Sequence, residues 1–172
     1  GLTRFVVNVH HHADQLAAHV EDLAARHPQA RFRLSREPAV LGTGGGVNAA
    51  LPLLETDPVL VMNTDAFWLG GGAPLLRLIE AYRDGAEMVL LCVHPRDARG
   101  FRRSHDFCLD PRGRITNDVG APVIYAGAML LSRVLFAGMP TGPFPMERLY
   151  DRARANGSLR GVVLDATWLH VG

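Results

Sequence analysis

The chain has 172 residues, 48% of them apolar, which is long enough to bury one good core and too short for two full domains. Its 18 Lys and Arg against 17 Asp and Glu leave a formal net charge of +1, so no field of either sign points to nucleic acid or a membrane surface as partner. No apolar run approaches the ~18 residues that span a bilayer and no charged segment leads into a short apolar one, so the expected compartment is the cytoplasm.

Phe5-Val6-Val7-Asn8-Val9 is a β-branched run of the kind that parallel strands buried on both faces have. It begins almost at once, with no initiator methionine before it, so residues preceding Gly1 are expected in the parent protein. Ala13 to Arg26 carries Leu16, Val20 and Leu23 on one helical stripe, and Pro28 ends that helix. A short strand, Phe32–Ser35, leads to Gly42-Thr43-Gly44-Gly45-Gly46, read as a glycine loop from which a helix over 46–54 starts. A buried strand over 58–63 then delivers Asn63-Thr64-Asp65. Gly70-Gly71-Gly72 breaks the chain before a helix over 74–84, with Leu75, Leu78, Ile79 and Tyr82 on one face. Glu87–Val93 is another fully buried strand. Strand and helix in alternation imply right-handed crossovers and a mostly parallel sheet.

The second half changes texture. His94–Arg103, rich in Arg, Pro and Gly, reads as a loop over the sheet. Phe107–Ile115 reads as a hairpin turning at Asp110-Pro111-Arg112-Gly113. A strand over Val123–Leu131, a short helix from Ser132, a helix over 145–156 stopping at Asn156-Gly157, and strands Leu159–Val163 and Thr167–Val171 complete the chain. Cys92 and Cys108 sit in or beside apolar runs without CxxC spacing and read as buried free thiols.

The chemistry concentrates at the glycines and at Asp65. A glycine segment before a helix lets backbone N–H groups approach a planar or anionic ligand, and the C-terminal edge of an open α/β sheet is where ligands bind. A carboxylate at that edge suggests a nucleotide together with a metal ion.

Val7-Asn8-Val9-His10, Ser35-Arg36-Glu37-Pro38, Thr43-Gly44-Gly45-Gly46, Asn63-Thr64-Asp65, Tyr125-Ala126-Gly127, Gly142-Pro143-Phe144 and Trp168-Leu169-His170-Val171-Gly172, in this order, resemble the sugar nucleotidyltransferases over the whole chain. Within them the chain looks most like the bacterial N-acetylmuramate 1-phosphate uridylyltransferases and their mannose-1-phosphate guanylyltransferase-like relatives. The resemblance implies a Rossmann-like three-layer α/β/α fold in one domain, 1–172, with a nucleotide-binding half (1–93) and a sugar-binding half (94–172). It implies attack of a sugar 1-phosphate on the α-phosphorus of a nucleoside triphosphate, with release of pyrophosphate. UMP transfer to N-acetylmuramate 1-phosphate, in cell-wall recycling, is the leading expectation. Guanylyl transfer to mannose 1-phosphate and a non-catalytic sugar-nucleotide-binding module are the alternatives.

By the same resemblance Asp65 is the catalytic metal ligand for Mg²⁺, although an aspartate there also fits a simple cap of the next segment. Asn63 supports it, and Thr43, Gly44 and Gly45 contact the nucleotide base, the missing side chains leaving room for the ring. Asp106, in His105-Asp106-Phe107, and the backbone at Ala126 and Gly127 line the sugar pocket. Where the family has Trp-x-Asp-x-Gly-Thr, this chain has His170 in place of the second metal-binding aspartate. Three roles fit it: a donor to phosphate, a ligand to a softer ion such as Mn²⁺, or a structural histidine; Asp165 is a further candidate carboxylate. His10, His11 and His12 read as rim residues near the ligand edge. The family's first strand, with its Gly-x-Gly-x-Arg loop and Pro-Lys, and its C-terminal Thr-Pro helix have no counterpart in these residues, so little turnover is expected from them alone.

Overall fold

The computed structural model describes residues 2–70, 73–83 and 85–172. Gly71 and Gly72 of the expected glycine break, and Asp84 at the end of the expected third helix, lie outside the described residues. The chain forms two compact units, one of Gly1–Thr56 with Phe136–Leu149, the other of Asp57–Leu135 with Tyr150–Gly172. Strands from both sides of residue 93 pair in one sheet of the second unit.

In the first unit β1 (Arg4–Val9) and β2 (Arg31–Arg36) pair in parallel, Phe5 opposite Phe32 and Val7 opposite Leu34. The two phenylalanine rings stack at 5.0 Å. The crossover is α1 (Ala13–Arg26), with the bounds that its apolar stripe predicts; Ala17 and Val20 are buried. Only Val9 of β1 is buried, so the strand is not covered on both faces as its β-branched run suggested.

The second helix departs from the sequence reading. α2 runs Gly42–Ala50, so Gly44, Gly45 and Gly46 are helical rather than a loop before a helix. Glycine costs about 1 kcal/mol relative to alanine at a helical position, and close packing is what outweighs it here. A Cβ on Gly44 would lie 2.6 Å from the Phe144 ring, one on Gly45 would strike the Gly142 carbonyl, and one on Gly46 would lie 2.7 Å from Glu37 Oε1. Glu37 ties the unit together: Oε1 accepts from Asn8 Nδ2 at 2.8 Å, Oε2 accepts from the Leu41 N–H at 3.3 Å, and Asn8 Nδ2 also donates to the Gly46 carbonyl at 2.9 Å.

The second unit holds β3 (Val59–Met62), β4 (Ala66–Leu69), α3 (Pro74–Arg83), β5 (Met88–Val93), β6 (Ala98–Arg99), β7 (Phe107–Leu109), β8 (Ile115–Thr116) and β9 (Ala121–Leu131). After α4 (Glu147–Ala155), whose residues from Tyr150 onward belong to this unit, come β10 (Leu159–Val163) and β11 (Thr167–His170). β5 lies between β10, parallel to it, and β9, antiparallel; β3 pairs antiparallel with β9. Thus β3, β5 and β10 share one direction and β9 is inserted against them, which makes the sheet mixed: β5 and β10 pair in parallel, whereas the pairings of β9 with β3, β5 and β7 and of β7 with β8 are antiparallel. β5 is buried at every position, as its unbroken apolar run predicts.

β4 and β6, which the sequence reading treated as connections, flank β11 in a separate sheet of order β4-β11-β6. Each is too short to show a period of its own and is defined by pairing with β11. Leu78 of α3, Val89, Leu91, Ile124, Ala126, Ala128 and Trp168 form the core of this unit, and the Trp168 indole donates to the Ala126 carbonyl at 3.0 Å. The predicted hairpin turn is built by Asp110, whose Oδ1 accepts the N–H groups of Arg112 and Arg114 and whose Oδ2 accepts from Arg114 Nε at 2.7 Å.

Candidate active site

The pairing of β5 with β9 slips between Leu90 opposite Met129 and Cys92 opposite Tyr125. Gly127 sits in that irregularity at φ +83°, a conformation that side chains with a Cβ resist. The bulge turns the Gly127 carbonyl to the residue after β3, where the Asn63 N–H donates to it at 2.7 Å. A Cβ at Gly127 would stand 3.3 Å from Ala66 Cβ and 3.4 Å from Asn63 Cβ, so the missing side chain permits the approach.

Asp65 follows two residues later, its side chain half exposed at 51%. Its carbonyl accepts the Val171 N–H at 2.9 Å, which brings the end of β11 alongside. His170 Nε2 lies 3.7 Å from Asp65 Oδ2, and a Cβ on Gly172 would be 3.3 Å from the same oxygen. Asn63, Asp65, Gly127 and His170 are therefore brought together. At 3.7 Å the imidazole and the carboxylate are close neighbours but not hydrogen-bond partners. Asp165, by contrast, is exposed between β10 and β11.

As a cation site this arrangement supplies one hard oxygen donor and one imidazole. Among the described residues no group of three or more His, Cys, Asp or Glu side chains could hold a metal ion. That set suits Mg²⁺ only in the open manner in which the ion binds one or two carboxylates and fills its remaining positions with water and substrate phosphate. Asp65 fits such a role, and His170 fits a donor to phosphate better than a ligand to a hard ion.

Asp106 is tied on both oxygens: Oδ2 accepts the Tyr125 N–H at 3.0 Å and Oδ1 lies 2.6 Å from Arg103 Nη2. The Ala126 side chain is fully buried and its carbonyl already accepts the Trp168 indole. Tyr125 keeps a buried hydroxyl with no hydrogen-bond partner among the described residues; burial first, then the charges of Tyr150, Cys92 and Asp65, raise its pKa well above that of an ordinary phenol. Burial, with the Asp106 charge added, likewise pushes up the Cys92 thiol. Both cysteines are free and buried.

In the first unit, Thr43, Gly44 and Gly45 open α2. Gly44 and Gly45 are buried, and the Gly45 N–H donates to the Phe144 carbonyl at 3.0 Å. The space that their missing side chains leave is taken by Gly142 and Phe144 rather than held open for a ring. Gly42 and Thr43 remain exposed, on an open cleft of about 440 Å³ lined also by Leu41 and residues 143–147. His10 Nδ1 is 2.8 Å from the Glu37 carbonyl, which fixes that ring at the end of β1.

Arg103 lies in an aperiodic loop that gives no reason to single it out, and its contact with Asp106 is what does so.

No family model matches the chain. It is 34% identical over 173 residues to the N-acetylmuramate alpha-1-phosphate uridylyltransferase of Caulobacter vibrioides, covering 97% of this chain and 72% of that protein. Among solved structures, HddC from Yersinia pseudotuberculosis superposes with a TM-score of 0.73 at 18% identity, over 99% of this chain and 74% of that one. The inositol-1-phosphate CTP transferase from T. maritima gives 0.74 at 13% identity, over 99% of this chain and 71% of that one. The fold is the Rossmann-like α/β fold of nucleotidyltransferases. The chain belongs to the sugar nucleotidyltransferase family, enzymes that join a nucleotide to a sugar phosphate. No helix among the described residues is long and apolar enough to cross a membrane.

Proposed function

We propose that the protein transfers a uridylyl group from UTP to N-acetylmuramate 1-phosphate, a step of cell-wall recycling, and that it uses Asp65 to hold Mg²⁺. The carrying observation is the meeting of Asp65 and His170, at the ends of β3 and β11, beside the bulge at Gly127 in the middle of β9. Similarity to the Caulobacter enzyme supports the choice of base and sugar.

In the reaction a phosphate oxygen of the sugar attacks the α-phosphorus, the bond from that phosphorus to the bridging oxygen breaks, and pyrophosphate leaves with the electron pair. Bound Mg²⁺ supplies positive charge that offsets the charge developing on the phosphate oxygens. The residues of the chain mainly position. Asp65 presents a half-exposed carboxylate to the cation, and His170 presents a ring nitrogen to a phosphate oxygen. The Asn63–Gly127 hydrogen bond holds the strand end that leads to Asp65 in place before substrate arrives. In the first unit the exposed Gly42 and Thr43 are the groups offered to the base.

The test is a screen of pyrophosphate release by the full-length protein across nucleoside triphosphates and sugar 1-phosphates with Mg²⁺ or Mn²⁺. The expected best pair is UTP with N-acetylmuramate 1-phosphate. Fastest turnover with GTP and mannose 1-phosphate would replace this assignment with guanylyl transfer, and ligand binding without turnover on any pair would make the protein a binding module.

A further inference from the structure

Arg103 belongs to a loop whose sequence gave no role to any single cation, yet its guanidinium is held from two sides. Nη2 lies 2.6 Å from Asp106 Oδ1, and the guanidinium carbon stands 5.4 Å from the centroid of the Phe101 ring. Asp106 is itself fixed, its side chain only 11% exposed and its other oxygen bonded to the Tyr125 N–H. The Arg103 side chain nevertheless remains 74% exposed, so donors of its planar fork are left facing solvent.

This loop lies against the candidate site. Gly100 packs so closely on the His170 carbonyl that a Cβ would collide with it. Phe101 meets Trp168 edge to face at 6.1 Å, and the Trp168 ring lies 5.9 Å from that of His170, the neighbour of Asp65. Two ring-to-ring steps therefore separate the Phe101 platform from His170. Arg103 is thus a preorganised cation joined to the His170–Asp65 pair through Phe101 and Trp168. A charge so placed suits an anionic substituent on the body of the sugar.

We propose that Arg103 makes the enzyme select an acceptor sugar that bears a carboxylate, by pairing the free edge of its guanidinium with that group. This rests on the transferase reading and narrows its substrate class. A guanidinium fork matches a carboxylate with two parallel N–H···O bonds, a geometry that an ammonium cannot offer. Asp106 and Phe101 remove much of the side-chain freedom that usually makes an exposed arginine a weak binder.

The experiment compares N-acetylmuramate 1-phosphate with N-acetylglucosamine 1-phosphate, the same sugar without its lactyl carboxylate, in the full chain with UTP. The wild type is expected to prefer the carboxylated sugar. In Arg103→Gln the ratio of the two kcat/KM values should fall by roughly 10- to 100-fold, through KM, and Arg103→Lys should restore only part of it. An unchanged ratio, including an equal loss on both sugars, overturns the proposal and leaves Arg103 as a mere counter-charge to Asp106. Calorimetric binding of free N-acetylmuramate against N-acetylglucosamine separates this from the activity reading. Absent turnover with binding that prefers the acid in wild type and not in Arg103→Gln sinks the transferase reading alone; binding without preference in the wild type sinks the Arg103 proposal.

Discussion

The N–H of Asn63 donates to the carbonyl of Gly127 at 2.7 Å, so the residue that ends the run into Asp65 is tied to the irregular point of the opposing strand. The positions of the strand-end carboxylate and of the bulged backbone are therefore not independent. Gly127→Val would meet both the φ of +83° and the Cβ atoms of Ala66 and Asn63. The expected loss is about 1–3 kcal/mol in urea unfolding, with a fall in turnover larger than the unfolded fraction accounts for. Unchanged stability would show that the bulge relaxes at no cost.

Asp65→Asn removes the charge from a half-exposed side chain while its carbonyl keeps the Val171 N–H. Stability should stay within about 0.5 kcal/mol of wild type, and pyrophosphate release should drop by at least about 100-fold. Near-normal turnover at limiting Mg²⁺ would remove Asp65 from the metal.

Gly44→Ala sets two effects of known size against each other. Alanine gains about 1 kcal/mol in helix propensity, but its methyl group would sit 2.6 Å from the Phe144 ring and 2.9 Å from the Pro145 carbonyl. Overpacking of that kind costs about 1–3 kcal/mol. Net destabilisation is expected by thermal or urea unfolding, and a stabilised variant would show that residues 142–145 move aside freely.

Acid should unfold the protein in part through Glu87. Its carboxylate accepts hydrogen bonds from Asn156 Nδ2 and Ser158 Oγ, which hold its pKa below the ordinary value of 4.5. Because the folded value is the lower one, the unfolded chain binds the proton first as pH falls. The contribution is complete above about pH 5 and is lost as pH drops through the depressed value. Asp110, lowered chiefly by the backbone and side chain of Arg114, acts in the same direction. Urea midpoints of wild type and Glu87→Gln should therefore differ most near neutrality and converge as pH falls through the depressed value; a difference that stays constant into acid would contradict the assignment.

Much of this protein is written in its local pattern. The stripe of Leu16, Val20 and Leu23 sets α1, the unbroken apolar run sets β5, and the run into Asn63-Thr64-Asp65 puts a carboxylate at a strand end, because each signal depends on neighbours within a turn or a strand. What escapes that pattern depends on partners far along the chain. Gly44 to Gly46 are helical because Phe144, Gly142 and Glu37 occupy the space that side chains would need. β4 and β6 exist because β11 lies between them, and β9 reverses direction because its edges pair with β3 and β5. The nearness of His170 to Asp65 belongs to the same class. Residue type supplied the chemistry at each position, but distance between residues remote in sequence is set only when the core closes, and tertiary structure alone decided which of those groups meet.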